Sequence, residues 1–299
     1  MFYALRLLPA FALSLGWGPA DRPREPDSLL VSPAVLRDRL ARGGVVVLHL
    51  GERADYDAAH IPGARFLPYE SFSTHGGGLM LEIPPVATLD SLLESLGVSD
   101  GTRIVLYAAA NWTSPTARVF LTLDYLGLGD RTSVLDGGFA AWASSGGAAT
   151  TDVPAVARGS LTVQPRTDVI IDAQAVRAAI GDPGVSIVDA RSPRLYRGDA
   201  DDIHGREGHV PGAKNVPFNT LLDDRGAFRP RAALEAALDA AGATSGKRMI
   251  AYCAIGQQAS VVYFVGRLLG RDVRLYDGSW DDWSLHTDYP VESGRGATR

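Results

Sequence analysis

The chain has 299 residues, 46% of them hydrophobic and 21% charged, with a formal net charge of −5 at pH 7. That length fits two domains of roughly 130–150 residues, and the apolar content is enough for two cores. The negative balance without a basic block argues against a nucleic-acid partner; His49, His60, His75, His204, His209 and His286 show no metal-ligand spacing, and the single cysteine excludes an intrachain disulfide.

Residues 1–20 read as an export signal, with Arg6, an apolar stretch from Leu7 to Leu15, then Gly18-Pro19-Ala20. This predicts a periplasmic or secreted protein cleaved after Ala20. The alternative is a surface-packed segment of a cytoplasmic one. The apolar stretch is too short to span a bilayer. A first domain is expected over 28–146, with strands at Val45–Leu50, Ile104–Tyr107 and Ser133–Leu135 and helices at Leu89–Leu96 and Thr116–Leu126. Residues 147–167, rich in Gly, Ala, Thr and Pro, read as a linker. A second domain is expected over 168–293, with strands at Ile187–Asp189, Met249–Tyr252 and Val273–Tyr276. Its helices are expected at Ala173–Ile180, Arg231–Ala241 and Ala259–Leu269. Continuous apolar strands alternating with helices define an α/β class, each domain a mostly parallel sheet flanked by helices on both faces.

The two halves repeat one another. Val45–Leu50 followed by His60-Ile61-Pro62-Gly63-Ala64 parallels Val185–Arg191 followed by His209-Val210-Pro211-Gly212-Ala213. Arg103–Tyr107 parallels Arg248–Tyr252, and Val134–Trp142 parallels Leu275–Trp283. Four matched blocks in one order indicate a tandem duplication, and a period this long means two domains rather than a solenoid.

Cys253 stands where an apolar run stops, before a Gly-containing loop and a helical run from Ala259. A thiolate at a strand end and helix N-terminus faces backbone N–H groups and the positive end of a helix dipole, and both lower its pKa. Ligands of parallel sheets bind at such strand ends.

On these motifs the chain resembles a tandem-domain rhodanese, a sulfurtransferase, over roughly residues 28–290. Tyr56…His60-Ile61-Pro62-Gly63-Ala64…Leu67 is similar to the family's N-terminal signature. Tyr276-Asp277-Gly278-Ser279-Trp280-Asp281-Asp282-Trp283 is similar to its C-terminal one. The resemblance implies a Cys253 persulfide, loaded from a small-molecule sulfur donor and unloaded to cyanide or a thiol, with no metal or organic cofactor. The amides of Ala254, Ile255, Gly256, Gln257 and Gln258 can form an anion-binding nest around the sulfur, and Gly256 lets the backbone curl. An ionised thiol there needs no general base. The resemblance also places Arg191 at the pocket, binding the anionic donor; a structural pair with Asp189 is the alternative. Arg197 reads as a solvated charge, His60 and His209 as turn stabilisers present in both halves, and Trp280 and Trp283 as packing residues. The sequence leaves the oligomeric state open.

The chain departs from the family in two places. Ala108 stands where the second repeat has Cys253, so the first domain is expected to be catalytically silent, with a structural role in closing the cleft, towards which Trp112 reaches. The active loop is neutral, matching neither the basic loop of thiosulfate-type members nor the Gly/Ser/Thr loop of mercaptopyruvate-type members. Weak activity with thiosulfate is therefore expected. A cysteine phosphatase or arsenate reductase would need an arginine six residues after the cysteine, where Ala259 stands. A binding or thiol-redox sensor protein is the remaining alternative.

Overall fold

The computed structural model describes residues 29–294 apart from 77, 110, 111 and 201. The export-signal reading of residues 1–20 lies outside the described residues. In the first half the strands are β1 (Leu30–Val31), β2 (Val45–Leu50), β3 (Arg65–Phe66), β4 (Thr74–Gly76), β5 (Leu79–Glu82), β6 (Arg103–Ala108) and β7 (Thr132–Leu135). In the second they are β8 (Ile170–Ile171), β9 (Val185–Asp189), β10 (Lys214–Asn215), β11 (Arg248–Tyr252) and β12 (Asp272–Tyr276). Two five-stranded sheets result, in the orders β1-β7-β6-β2-β3 and β10-β9-β11-β12-β8. All pairings within them are parallel. Read from the opposite edge, the second order repeats the first, so the duplication seen in the sequence is a duplication of topology. The antiparallel β4–β5 hairpin has no counterpart among the described residues of the second half.

Side-chain alternation along the strands decides which way each face looks. In the first sheet, Val46, Leu48, Leu50, Ile104 and Leu106 enter a central core, while Val47, Val105 and Tyr107 pack an outer one against Leu36 and Trp142. In the second, Met249, Ala251 and Cys253 enter the same central core, and Ile250 and Tyr252 pack outward against Trp280 and Trp283. The cysteine side chain therefore points between the domains because of its parity with Ala251.

The central core is built on two equivalent helices, Thr113–Tyr125 after β6 and Ala259–Leu268 after β11. Both are buried along nearly their whole length, as apolar helices enclosed on all sides must be. Phe120 meets Phe264 edge-on with ring centroids 4.8 Å apart. The buried Asp124 accepts a hydrogen bond from Tyr263 Oη (2.6 Å) and pairs with Arg166 and Arg267. Both helices begin at the carboxyl ends of central strands, which brings Cys253 and its equivalent Ala108 to the domain boundary.

Residues 151–166 form no helix or strand and run along the first domain. The N–H of Gly159 donates to the Glu94 carbonyl (2.7 Å) and that of Arg166 to Tyr125 (2.6 Å). His60 and His209 pin equivalent turns. Each stacks on a tyrosine (Tyr56, Tyr196) at 3.8 Å, with Nδ1 against that residue's carbonyl. No helix among the described residues is long and apolar enough to cross a membrane.

Candidate active site

The chain leaves β11 at Tyr252, and the backbone of Cys253 is stapled to the start of the Ser279–Leu285 helix. The Cys253 N–H donates to Ser279 Oγ (3.1 Å), whose own proton goes to the Tyr276 carbonyl (2.9 Å). The N–H groups of Trp280 and Asp281 donate to the carbonyls of Cys253 (3.0 Å) and Ala254 (2.9 Å). Ser279 holds φ at 52°, a left-handed value uncommon for a residue with a Cβ. These bonds hold it there.

The sulfur is fully buried, at 0% exposure. Burial pushes the Cys253 thiol above its ordinary pKa. The N–H groups of Ala259, Ile255 and Gln258 pull it down, and the Asp189 carboxylate adds to the upward push. The net direction is upward. This corrects the expectation of a thiol already ionised by its helix terminus: desolvation of a sulfur anion in a closed site outweighs three amides. The nest itself is present in a modified form. Ile255, Gln258 and Ala259, the first residue of the helix, turn their amides to the sulfur.

The remaining loop residues shape the turn. The Ala254 carbonyl is held by Asp281. Gly256 has φ of 83°, and a Cβ there would lie 2.8 Å from Asp277 Oδ1 and 3.0 Å from Arg118 Nη1. Glycine is required both by conformation and by this close approach. The Gln257 side chain accepts a hydrogen bond from Tyr69 Oη (2.7 Å), and its carbonyl accepts one from Ser114 Oγ (3.4 Å). Burial, above all, raises the Tyr69 pKa to about 12, so its hydroxyl keeps the proton it donates.

Arg118, Tyr69 and Ser114 all belong to the first domain, which therefore forms one wall of the site. Arg118 is fully buried and forks onto Asp277, Nη1 to Oδ1 and Nη2 to Oδ2 (3.1 Å), with a further bond from Nη2 to the Leu81 carbonyl. Trp112 lies on the same side, edge-on to Tyr69 at 5.6 Å. The β4–β5 hairpin also crosses the boundary: the Met80 N–H donates to Asp281 Oδ2 (3.1 Å), and His204 Nε2 lies 2.7 Å from Asp281 Oδ1. The sequence reading missed Arg118, Tyr69 and Ala259. Arg118 sits in a helix interior of the other domain and carries no local signal.

Arg191 lies just past the end of β9, but its guanidinium is bound inside the protein. Nε and Nη2 bond Asp189, Nη1 bonds Asp202, and Nη2 also reaches the Gly208 carbonyl (2.8 Å). Four of its five N–H groups are so engaged, and the group stacks 4.4 Å over Trp280. The carboxylate pairing that the sequence left as an alternative thus takes the place of an open anion clamp: two carboxylates already satisfy the cation, and it is fully buried. Arg197 is a surface charge paired with Asp199.

Fold and site together define a tandem α/β protein with one cysteine in an amide-lined loop between two equivalent domains. The model of the rhodanese-like domain matches residues 32–145 and 172–286, and the chain belongs to this family. It is 30% identical to a thiosulfate sulfurtransferase of Azotobacter vinelandii over 88% of this chain and 97% of that one. It is 31% identical to the sulfur carrier protein TtuD of Thermus thermophilus over 89% and 97%. The crystal structure of SseA from Escherichia coli, described as a 3-mercaptopyruvate sulfotransferase, superposes with a TM-score of 0.74 at 25% identity, covering 85% of this chain and 99% of that one.

Proposed function

We propose that the chain is a sulfurtransferase carrying sulfane sulfur on Cys253. The observation that supports this most strongly is the lone thiol facing three convergent N–H groups at the domain boundary. In the first half-reaction the Cys253 thiolate attacks the outer sulfur of the donor. The donor's bond to that sulfur breaks, the remainder leaves with the electron pair, and Cys253 becomes a persulfide. In the second, a nucleophile such as cyanide or a thiol takes the terminal sulfur and returns the thiolate. The loop amides stabilise the anionic sulfur in both states.

Charge supports one class of donor. Asp277 neutralises Arg118, whose Nη1 lies beside Gly256, and the Asp189 carboxylate acts on the sulfur from the second domain. Such a site disfavours the dianion thiosulfate and suits a monoanionic donor such as mercaptopyruvate. Steady-state thiocyanate formation from cyanide, with each donor in turn, tests the proposal: wild type should turn over and Cys253→Ser should not. Equal rates for the two proteins would overturn it.

A further inference from the structure

The segment joining the two domains roofs a cavity of about 330 Å³ that shares no residue with the Cys253 site. Its walls come from the edge strand β3 (Arg65, Phe66), from the end of the Val86–Ser95 helix (Leu92, Leu96) and from Val153 and Val156 of the joining segment. The roof is fixed on either side of the cavity. His60 and Thr150 exchange two backbone hydrogen bonds (both 2.9 Å), and the Gly159 N–H donates to the Glu94 carbonyl (2.7 Å). The space is therefore preformed, as small-molecule sites generally are. It is also particular to the first domain. The repeat places Lys214 and Asn215 where β3 has Arg65 and Phe66, and Lys214 is exposed.

The lining is mostly apolar, no carboxylate stands in it among the described residues, and its two charges are both positive, Arg53 and Arg65. Arg53 is exposed, already paired with Asp57 (2.9 Å), and lies 5.3 Å over the Phe66 ring. Arg65 is different. It is partly buried, and no carboxylate among the described residues pairs with it. Its one bond runs from Nη1 to the Leu96 carbonyl at the end of the helix. Nη1 and a Val156 methyl both lie against Gly97, at 2.8 and 2.9 Å from where a Cβ would be, so the guanidinium sits between two walls of the cavity. Nε is buried without a partner, whereas Nη2 has no partner among the described residues yet keeps accessible surface. Burial, with no opposing charge to offset it, lowers the Arg65 pKa. A half-buried cation lacking a counter-ion, set in an apolar cavity, calls for an anion with an apolar body.

We propose that this cavity is a non-covalent site for a small apolar carboxylate, whose charged end bonds Arg65 Nη2 and whose body lies against Leu92, Leu96 and Val156. The inference rests on the first domain and the segment that follows it, and is independent of the sulfur-transfer reading. The test uses the full chain with benzoate as the probe, calorimetry for affinity and methyl-labelled valine resonances as a local readout. Benzoate should bind saturably and move the Val153 and Val156 methyl signals by its ring current. Benzylamine, with the same ring and the opposite charge, should do neither. Arg65→Gln removes the cation, and Val153→Asp sets a like charge at the mouth. Val153 is 65% exposed, so its variant folds whatever Arg65 contributes at the helix end. Each change should weaken benzoate about tenfold or more, the equivalent of one charge-assisted contact. No saturable binding, binding that leaves both methyl signals unmoved, unchanged affinity in Val153→Asp or in folded Arg65→Gln, or benzylamine binding as tightly as benzoate would each overturn the proposal.

Discussion

The Arg118–Asp277 pair joins the first domain to the Cys253 loop, and its removal should be felt in both stability and turnover. Arg118 has no solvent exposure and Asp277 is 8% exposed, so Arg118→Met leaves a nearly buried carboxylate without its counter-ion. Breaking such a pair from one side costs about 3–5 kcal/mol. Adding Asp277→Asn removes the stranded charge. The double variant should therefore be less destabilised than the sum of the singles, by about 1–3 kcal/mol. Urea unfolding of the four proteins measures this coupling. The same pair forms the surface against which Gly256 curls, with contacts of 2.8–3.0 Å to a hypothetical Cβ. Loss of that surface lets the loop amides drift from the sulfur, and single-turnover persulfide formation should slow about tenfold or more in Arg118→Met. A stability loss under about 1 kcal/mol would refute the electrostatic reasoning. The expected stability loss with unchanged persulfide formation would refute the claim that the first domain shapes the loop.

Three further outcomes follow from the same geometry. Gly256→Ala must place a Cβ at φ 83° and within 2.8 Å of Asp277 Oδ1; it should cost about 1–2 kcal/mol from conformation alone and reduce sulfur transfer, which denaturation and thiocyanate assays measure in parallel. Burial raises the Cys253 pKa, and the thiolate is the reactive form. Alkylation by iodoacetamide in the native protein should therefore rise with pH through a midpoint above the ordinary ~8.5 and return to that value in urea, whereas a native midpoint at or below neutrality would contradict the burial argument. With thiosulfate, kcat/KM should fall at least about tenfold below that with mercaptopyruvate, one missing charge-assisted hydrogen bond being enough for that factor; efficient thiosulfate turnover at low millimolar donor would show that the acidic surroundings do not govern donor choice.

The sequence made the central strands legible because they are continuous apolar runs, and the observed β2, β6, β9 and β11 differ from the expected strands by two residues or fewer at either end. Two-residue edge strands such as Leu30–Val31 and Lys214–Asn215 were not legible, since they exist only through pairing with a neighbour. The position of Cys253 at a strand end and the inequivalence of Ala108 were both readable from the repeat. What could not be read was anything settled by desolvation or by long-range pairing. A helix N-terminus predicts a lowered thiol pKa, but full burial reverses the direction. Arg191 has the right address for an anion site, yet Asp202, eleven residues on, turns it inward. Arg118 reaches the loop from the other domain, and no local pattern announces a partner at Asp277.

The central claim is that Cys253 carries the transferred sulfur, and intact-mass measurement of the full chain after treatment with a donor tests it most directly. Wild type should gain the mass of one sulfur atom, localised to Cys253, and lose it on addition of cyanide with release of thiocyanate. Failure to gain it from any donor, or the same gain in Cys253→Ser, would contradict the account.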